Sequence, residues 1–135
     1  MSLETIESDF DLLDDWEDRY RYVIELGRAL EPLAASEKTD ATKVRGCASQ
    51  VWLVSEREGD DGVLRFRGES DALIVQGLIA ILLAIYNGRK PSEIQTIDVH
   101  AILRRLGLDE HLTPQRSNGL KSMIVRIQGT AAAAI

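Results

Sequence analysis

Residues 72–86 are the most apolar stretch of the chain, broken only by Gln76 and Gly77. As a helix the stretch would be about 22 Å long, short of the ~30 Å hydrocarbon core of a bilayer. It therefore reads as a buried core helix. Such a helix has no face for water, so the remaining elements must pack around it.

The chain of 135 residues can supply that cover and sets the expectation of one compact domain, residues 1–135. No internal repeat or long linker divides it. The net charge of −6 disfavours non-specific binding to nucleic acid or anionic membrane, which needs a basic face. A single cysteine cannot form an intramolecular disulfide, which points to a reducing compartment. The opening residues Met1, Ser2, Leu3 and Glu4 do not resemble a secretory or transit leader, so the cytoplasm is the expected location.

A short helix is expected over residues 4–13. A second, capped by Asp14 or Asp15, carries Trp16, Tyr20, Val23 and Leu30 at helical spacing and should end at Glu31 and Pro32. Residues 33–43 read as a loop. Residues 51–55 and 63–67 read as strands of a hairpin turned by Gly59, Asp60, Asp61 and Gly62, with a third short strand expected near residues 42–45. Trp52 is expected in the core. Ser70 or Asp71 can cap the apolar helix, and Asn87 and Gly88 stop it. Pro91 starts a short helix, residues 98–106 form another that ends at Gly107, and the last runs from near Pro114 to about Gln128. The short alanine tail beyond it can fray or extend that helix. The order is helices, hairpin, helices: an α+β domain with a small antiparallel sheet of two to three strands covered by helices.

Cys47 is the residue whose chemistry the chain can use only once. Most lone cysteines are small buried hydrophobes. Here Gly46 allows an unusual backbone conformation, and Lys43 and Arg45 are neighbouring cations expected to favour the thiolate. The position, between a polar loop and a strand, suits a reactive group. A zinc site needs about four ligands, and Cys47 with His100 and His111 matches no zinc spacing. A dithiol motif is excluded, and a cysteine hydrolase would need His111 beside Cys47 as base. One thiol can, however, exchange sulfur by attack on a persulfide.

The stretch Val44-Arg45-Gly46-Cys47-Ala48-Ser49-Gln50-Val51-Trp52-Leu53 resembles the active-site signature of the SufE family, sulfur acceptors of cysteine desulfurases. Four more segments resemble the family in the same order. They are residues 16–20 with Leu26 and Gly27, residues 70–78, residues 106–112, and residues 114–120. Gln115 departs from the serine that many members carry. The resemblance implies a small curved antiparallel sheet packed by helices, similar to the scaffold protein IscU. It implies that Cys47 accepts sulfur as a persulfide, stimulates a desulfurase and passes the sulfur on for iron–sulfur cluster assembly. The implied partners are a pyridoxal-phosphate cysteine desulfurase, SufS- or CsdA-like, and a downstream scaffold such as SufBCD. The pyridoxal phosphate belongs to the partner; no cofactor or metal is expected here.

Within that frame Arg116 is a candidate to stabilise the Cys47 thiolate or persulfide, or is an ordinary surface cation. Ser49 either donates to the sulfur or caps its own loop. His111 is a candidate donor near the sulfur, with a structural role as the plainer reading. Lys43, Arg45, Gly46 and Asp71 are candidates for the docking face, Asp71 being most simply a helix cap. The alternatives are a regulatory module that binds a desulfurase without carrying sulfur and, further off, a cysteine hydrolase.

Overall fold

The structure is a computed structural model and describes residues 2–60 and 62–135. Helix α3 (Leu73–Tyr86) runs through the centre, as its composition requires; Leu78, Ile79, Ile81, Leu82, Ile85 and Tyr86 are almost fully buried. Around it pack α1 (Leu3–Leu12), α2 (Trp16–Arg28), the strand β2 (Val63–Ser70) and α7 (Pro114–Ala133). α2 meets α3 at two glycines. A Cβ on Gly27 would lie 2.6 Å from the amide nitrogen of Gly77, and one on Gly77 would collide with the Val23 carbonyl. This close crossing sets the depth of the core.

The strands β1 (Val51–Glu58) and β2 pair antiparallel, Val51 opposite Ser70. Gly59 and Gly62 turn the hairpin with positive φ, and the Gly62 amide donates to the Gly59 carbonyl at 3.3 Å. Met1 and the turn residue Asp61 lie outside the described residues. The expected third strand is reduced to one bridge, Lys43 to Trp52. Its hydrogen bonds run from the Val44 amide to the Val51 carbonyl, 2.8 Å, and from the Leu53 amide to the Thr42 carbonyl, 2.9 Å. Gly46 then takes φ 90° and turns the chain away, so no strand can propagate.

Other boundaries also differ from expectation. α2 ends at Arg28, before Pro32, because the chain must cross to β2: the Leu33 amide donates to Glu69 Oε1 at 2.9 Å and Leu33 is buried. α7 runs on through the alanines, the strongest helix formers, and Ala131 is fully buried. Trp52 is not a core residue. It alternates with buried Val51 and Leu53, so it lies on the outer face of β1, half-buried beneath the Lys38 ammonium 5.4 Å from its ring.

After α3 come α4 (Pro91–Thr96), α5 (Val99–Leu106) and a single turn, α6 (Leu108–His111), between Gly107 and the start of α7. Asp98 caps α5, and Gly107, at φ 73°, ends it. Among the described residues no helix is long and apolar enough to cross a membrane.

Candidate functional site

Cys47 lies at the tip of the segment between the Lys43 bridge and β1. Both ends of the segment are tied. At the root, besides the two bonds to β1, the Arg126 guanidinium on α7 donates to the carbonyl of Lys43 at 3.3 Å and to that of Ala41. At the far end Asp71 Oδ1 accepts the Gln50 amide at 2.9 Å, and the Asp71 amide donates to the Gln50 carbonyl at 3.3 Å. Asp71 is thus a latch on the loop. It is not the cap of α3, whose Ncap is Ala72; the Ser70 hydroxyl accepts the Ala72 amide and Gln76 Oε1 accepts the Ser70 amide.

Between these ties the loop touches α7. Gly46 has φ 90°, which side chains rarely adopt, so the backbone itself favours glycine; an added Cβ would also stand 2.6 Å from the Ser122 hydroxyl, which would have to rotate away. The Cys47 thiol donates to the Gly119 carbonyl at 3.7 Å, a weak bond to a sulfur donor. Sγ opens on a cavity of about 220 Å³. Its wall comprises Cys47, Ala48 and Ser49 from the loop, Ala72 and Val75 from α3, and Thr113, Gln115, Arg116 and Gly119 at the start of α7.

The electrostatics correct one expectation. Lys43 and Arg45 do not set the state of the thiol; half-burial dominates and pushes Cys47 above the usual thiol value. Arg45 is exposed, and Lys43 is pinned at the sheet edge beside Trp52. The cation that reaches the cavity is Arg116. It is half-buried, and among the described residues its guanidinium has no hydrogen-bond or ion-pair partner; its backbone amide is held by the Thr113 hydroxyl at 3.3 Å. The first turn of α7 adds the positive end of a long helix dipole. An anionic sulfur at Cys47 would therefore meet favourable charge that the neutral thiol does not use.

Cys47, Ser49 and Arg116 come together in the wall, and Gly46 shapes the loop. The Ser49 hydroxyl makes no hydrogen bond among the described residues, neither to the sulfur nor as a cap. His111 is elsewhere: its ring stacks on Trp16 with centroids 3.9 Å apart, and its carbonyl accepts the Tyr20 hydroxyl. The wall holds no histidine or carboxylate among the described residues, so no general base for a hydrolase lies there. Among the described residues no three His, Cys, Asp or Glu side chains gather as metal ligands. Arg126 and Gly119 escaped the sequence reading. Gly119 had only its family motif as a signal, and Arg126 reads as any cation near a helix end.

Fold and site together define a small α+β protein that presents one sheltered thiol on a tethered loop. The family model for the SufE Fe–S metabolism associated domain matches residues 4–131. An uncharacterized SufE-like protein of Rhizobium etli is 55% identical over 132 residues, covering 96% of this chain and 89% of that one. Another, from Rhizobium meliloti, is 56% identical over 132 residues, covering 96% and 94%. The solution structure of a hypothetical protein from Thermus thermophilus shares the fold with a TM-score of 0.77, at 22% identity over 99% of this chain and 98% of that one. The chain belongs to the SufE family, and its role lies in iron–sulfur metabolism.

Proposed function

We propose that Cys47 accepts sulfane sulfur from the persulfide of a pyridoxal-phosphate cysteine desulfurase, stimulates that enzyme, and passes the sulfur on for iron–sulfur cluster assembly. The observation that carries this reading is that Cys47 and Arg116 share the wall of a cavity of about 220 Å³ in which, among the described residues, the guanidinium has no partner and no base is present. The void is large enough for one more sulfur atom beyond Sγ.

The chemistry balances on thiols alone. Once the Cys47 proton passes to water, the thiolate attacks the outer sulfur of the donor persulfide. A sulfur–sulfur bond forms at Cys47, the donor's own breaks, and the donor cysteine leaves as a thiolate that takes up a proton. The product persulfide, as an anion, gains from Arg116 and from the α7 N-terminus. Withdrawn into the cavity, it is shielded from reductants and from further oxidation. A downstream thiolate then repeats the attack. No prosthetic group on this chain is needed, and a reducing compartment such as the cytoplasm suits a free thiol.

Mass spectrometry of the chain after incubation with a desulfurase and cysteine tests the reading. One added sulfur on the peptide carrying Cys47 supports it. Stimulation of the desulfurase with no sulfur gained would leave the regulatory module instead.

A further inference from the structure

A second cavity, of about 170 Å³, lies between α5, α6 and α7. α7 separates it from the sulfur. Arg116 and Gly119 line the Cys47 cavity, whereas Ser117, Leu120, Lys121 and Ile124, spaced i, i+3, i+4 and i+7, line this one from another face of the helix. Buried Leu103, Leu120 and Ile124, with half-buried Leu112, form an aliphatic floor.

Five polar side chains stand around that floor: His100 and Arg104 from α5, Asp109 from α6, and Ser117 and Lys121 from α7. Among the described residues none of the five side chains makes a hydrogen bond or an ion pair. Asp109 in particular forms no ion pair with Arg104 or Lys121, although all three line one cavity. Of the neighbouring charges, Arg105 is paired with Glu7 at 3.3 Å, and Glu110 is exposed outside the wall. The cavity thus holds unpaired charge of both signs above an apolar base. A simple anion would meet repulsion from Asp109, and a simple cation would meet it from Arg104 and Lys121. A molecule carrying both charges finds a partner for each.

We propose that this cavity binds a small zwitterion, an α-amino acid with an aliphatic side chain. Its carboxylate would meet Arg104 and Lys121, its ammonium group Asp109, and its aliphatic group the leucine floor. The Ser117 hydroxyl and the His100 ring add hydrogen-bonding capacity at the mouth. The volume falls below the ~300 Å³ at which drug-sized sites begin, which limits the ligand to a few heavy atoms and excludes a nucleotide. The inference stands independently of the carrier reading.

The test is a two-dimensional NMR titration of the full chain with L-leucine. Saturable shifts should centre on Arg104, Asp109 and Lys121 and leave residues 43–49 in place. N-acetyl-L-leucine lacks the ammonium group and L-leucinamide the carboxylate, and each should bind about tenfold more weakly. Glycine, which offers nothing to the floor, should bind about tenfold more weakly too. Asp109→Asn should erase the preference for leucine over N-acetyl-L-leucine. The Arg104→Gln, Lys121→Gln double variant should erase the preference over leucinamide. All three side chains are exposed, so the fold should tolerate these changes. A chain alkylated at Cys47 should bind leucine as the natural chain does. Absence of saturable shifts overturns the proposal, as does N-acetyl-L-leucine or leucinamide binding as tightly as leucine, or variants that keep the natural preferences. Loss of leucine binding on alkylation overturns it as well, because it would put the ligand in the sulfur cavity.

Discussion

The Cys47 thiol is hydrogen-bonded to the carbonyl of Gly119, 72 residues away on the face of α7 that the loop covers. A carbonyl can only accept, so this contact selects the protonated thiol. Half-burial acts in the same direction, raising the thiol above its ordinary value of 9.0. At rest the site is a held thiol, with its favourable charge in reserve for an anionic product.

The pH profile follows. Alkylation of Cys47 in the folded chain should be slow at neutral pH and keep rising beyond pH 9.0, whereas the denatured chain should level off near that value. The sign for stability is the reverse. A raised folded value favours the folded state below the ordinary thiol value, and that contribution is lost as pH climbs through the folded value. Iodoacetamide rates against pH check the first statement, and denaturation midpoints from pH 8 upward check the second.

Gly119→Ala should separate stability from function. The new Cβ would stand 3.6 Å from Sγ and 3.8 Å from the Cys47 Cβ, ordinary contact that demands no shift. Replacing a helix-interior glycine should add about 0.5–1 kcal/mol of stability. The methyl also takes space at the sulfur, so loading of Cys47 should slow. Thermal melts and mass-spectrometric loading rates give the two readings.

Asp71→Ala removes the acceptor of the Gln50 amide and leaves the β1–β2 ladder intact. The expected cost is about 1 kcal/mol of stability, with a loop that opens more often. Alkylation of Cys47 at fixed pH should accelerate severalfold while the circular dichroism spectrum stays unchanged.

Arg126→Met keeps the stem of the side chain and deletes both bonds to the loop root. Charged donors of this kind contribute roughly 1.5–3 kcal/mol, and the lower end suits a partly exposed pair. Hydrogen exchange should rise at the Val44 and Leu53 amides, which close the bridge there, and stay unchanged in α3.

What the sequence made legible was what is written locally. The apolar run of α3 has one physical solution. The hairpin carries its turn glycines between alternating strands, and Gly107 stops α5 in the conformation glycine favours. The less legible parts depend on neighbours far along the chain. An aspartate before a helix serves equally as a cap or as a latch, and only the nearness of Gln50 decides for Asp71. Lys43 and Arg45 are close to Cys47 in sequence, yet burial sets the thiol. Arg116, some seventy positions on, is the cation in the wall. Trp52 departs from its expected place in the core for the same reason, since Lys38 covers it from outside. His111 takes the plainer of its two readings, a structural one, held by stacking on Trp16.

The central claim is that Cys47 carries sulfur, and intact-mass spectrometry after incubation with a cysteine desulfurase and cysteine tests it most directly. The account predicts a species heavier by one sulfur atom, mapped to Cys47, removed by a reducing thiol and absent from Cys47→Ser. A desulfurase that turns over fully while the mass of the natural chain stays unchanged would contradict it.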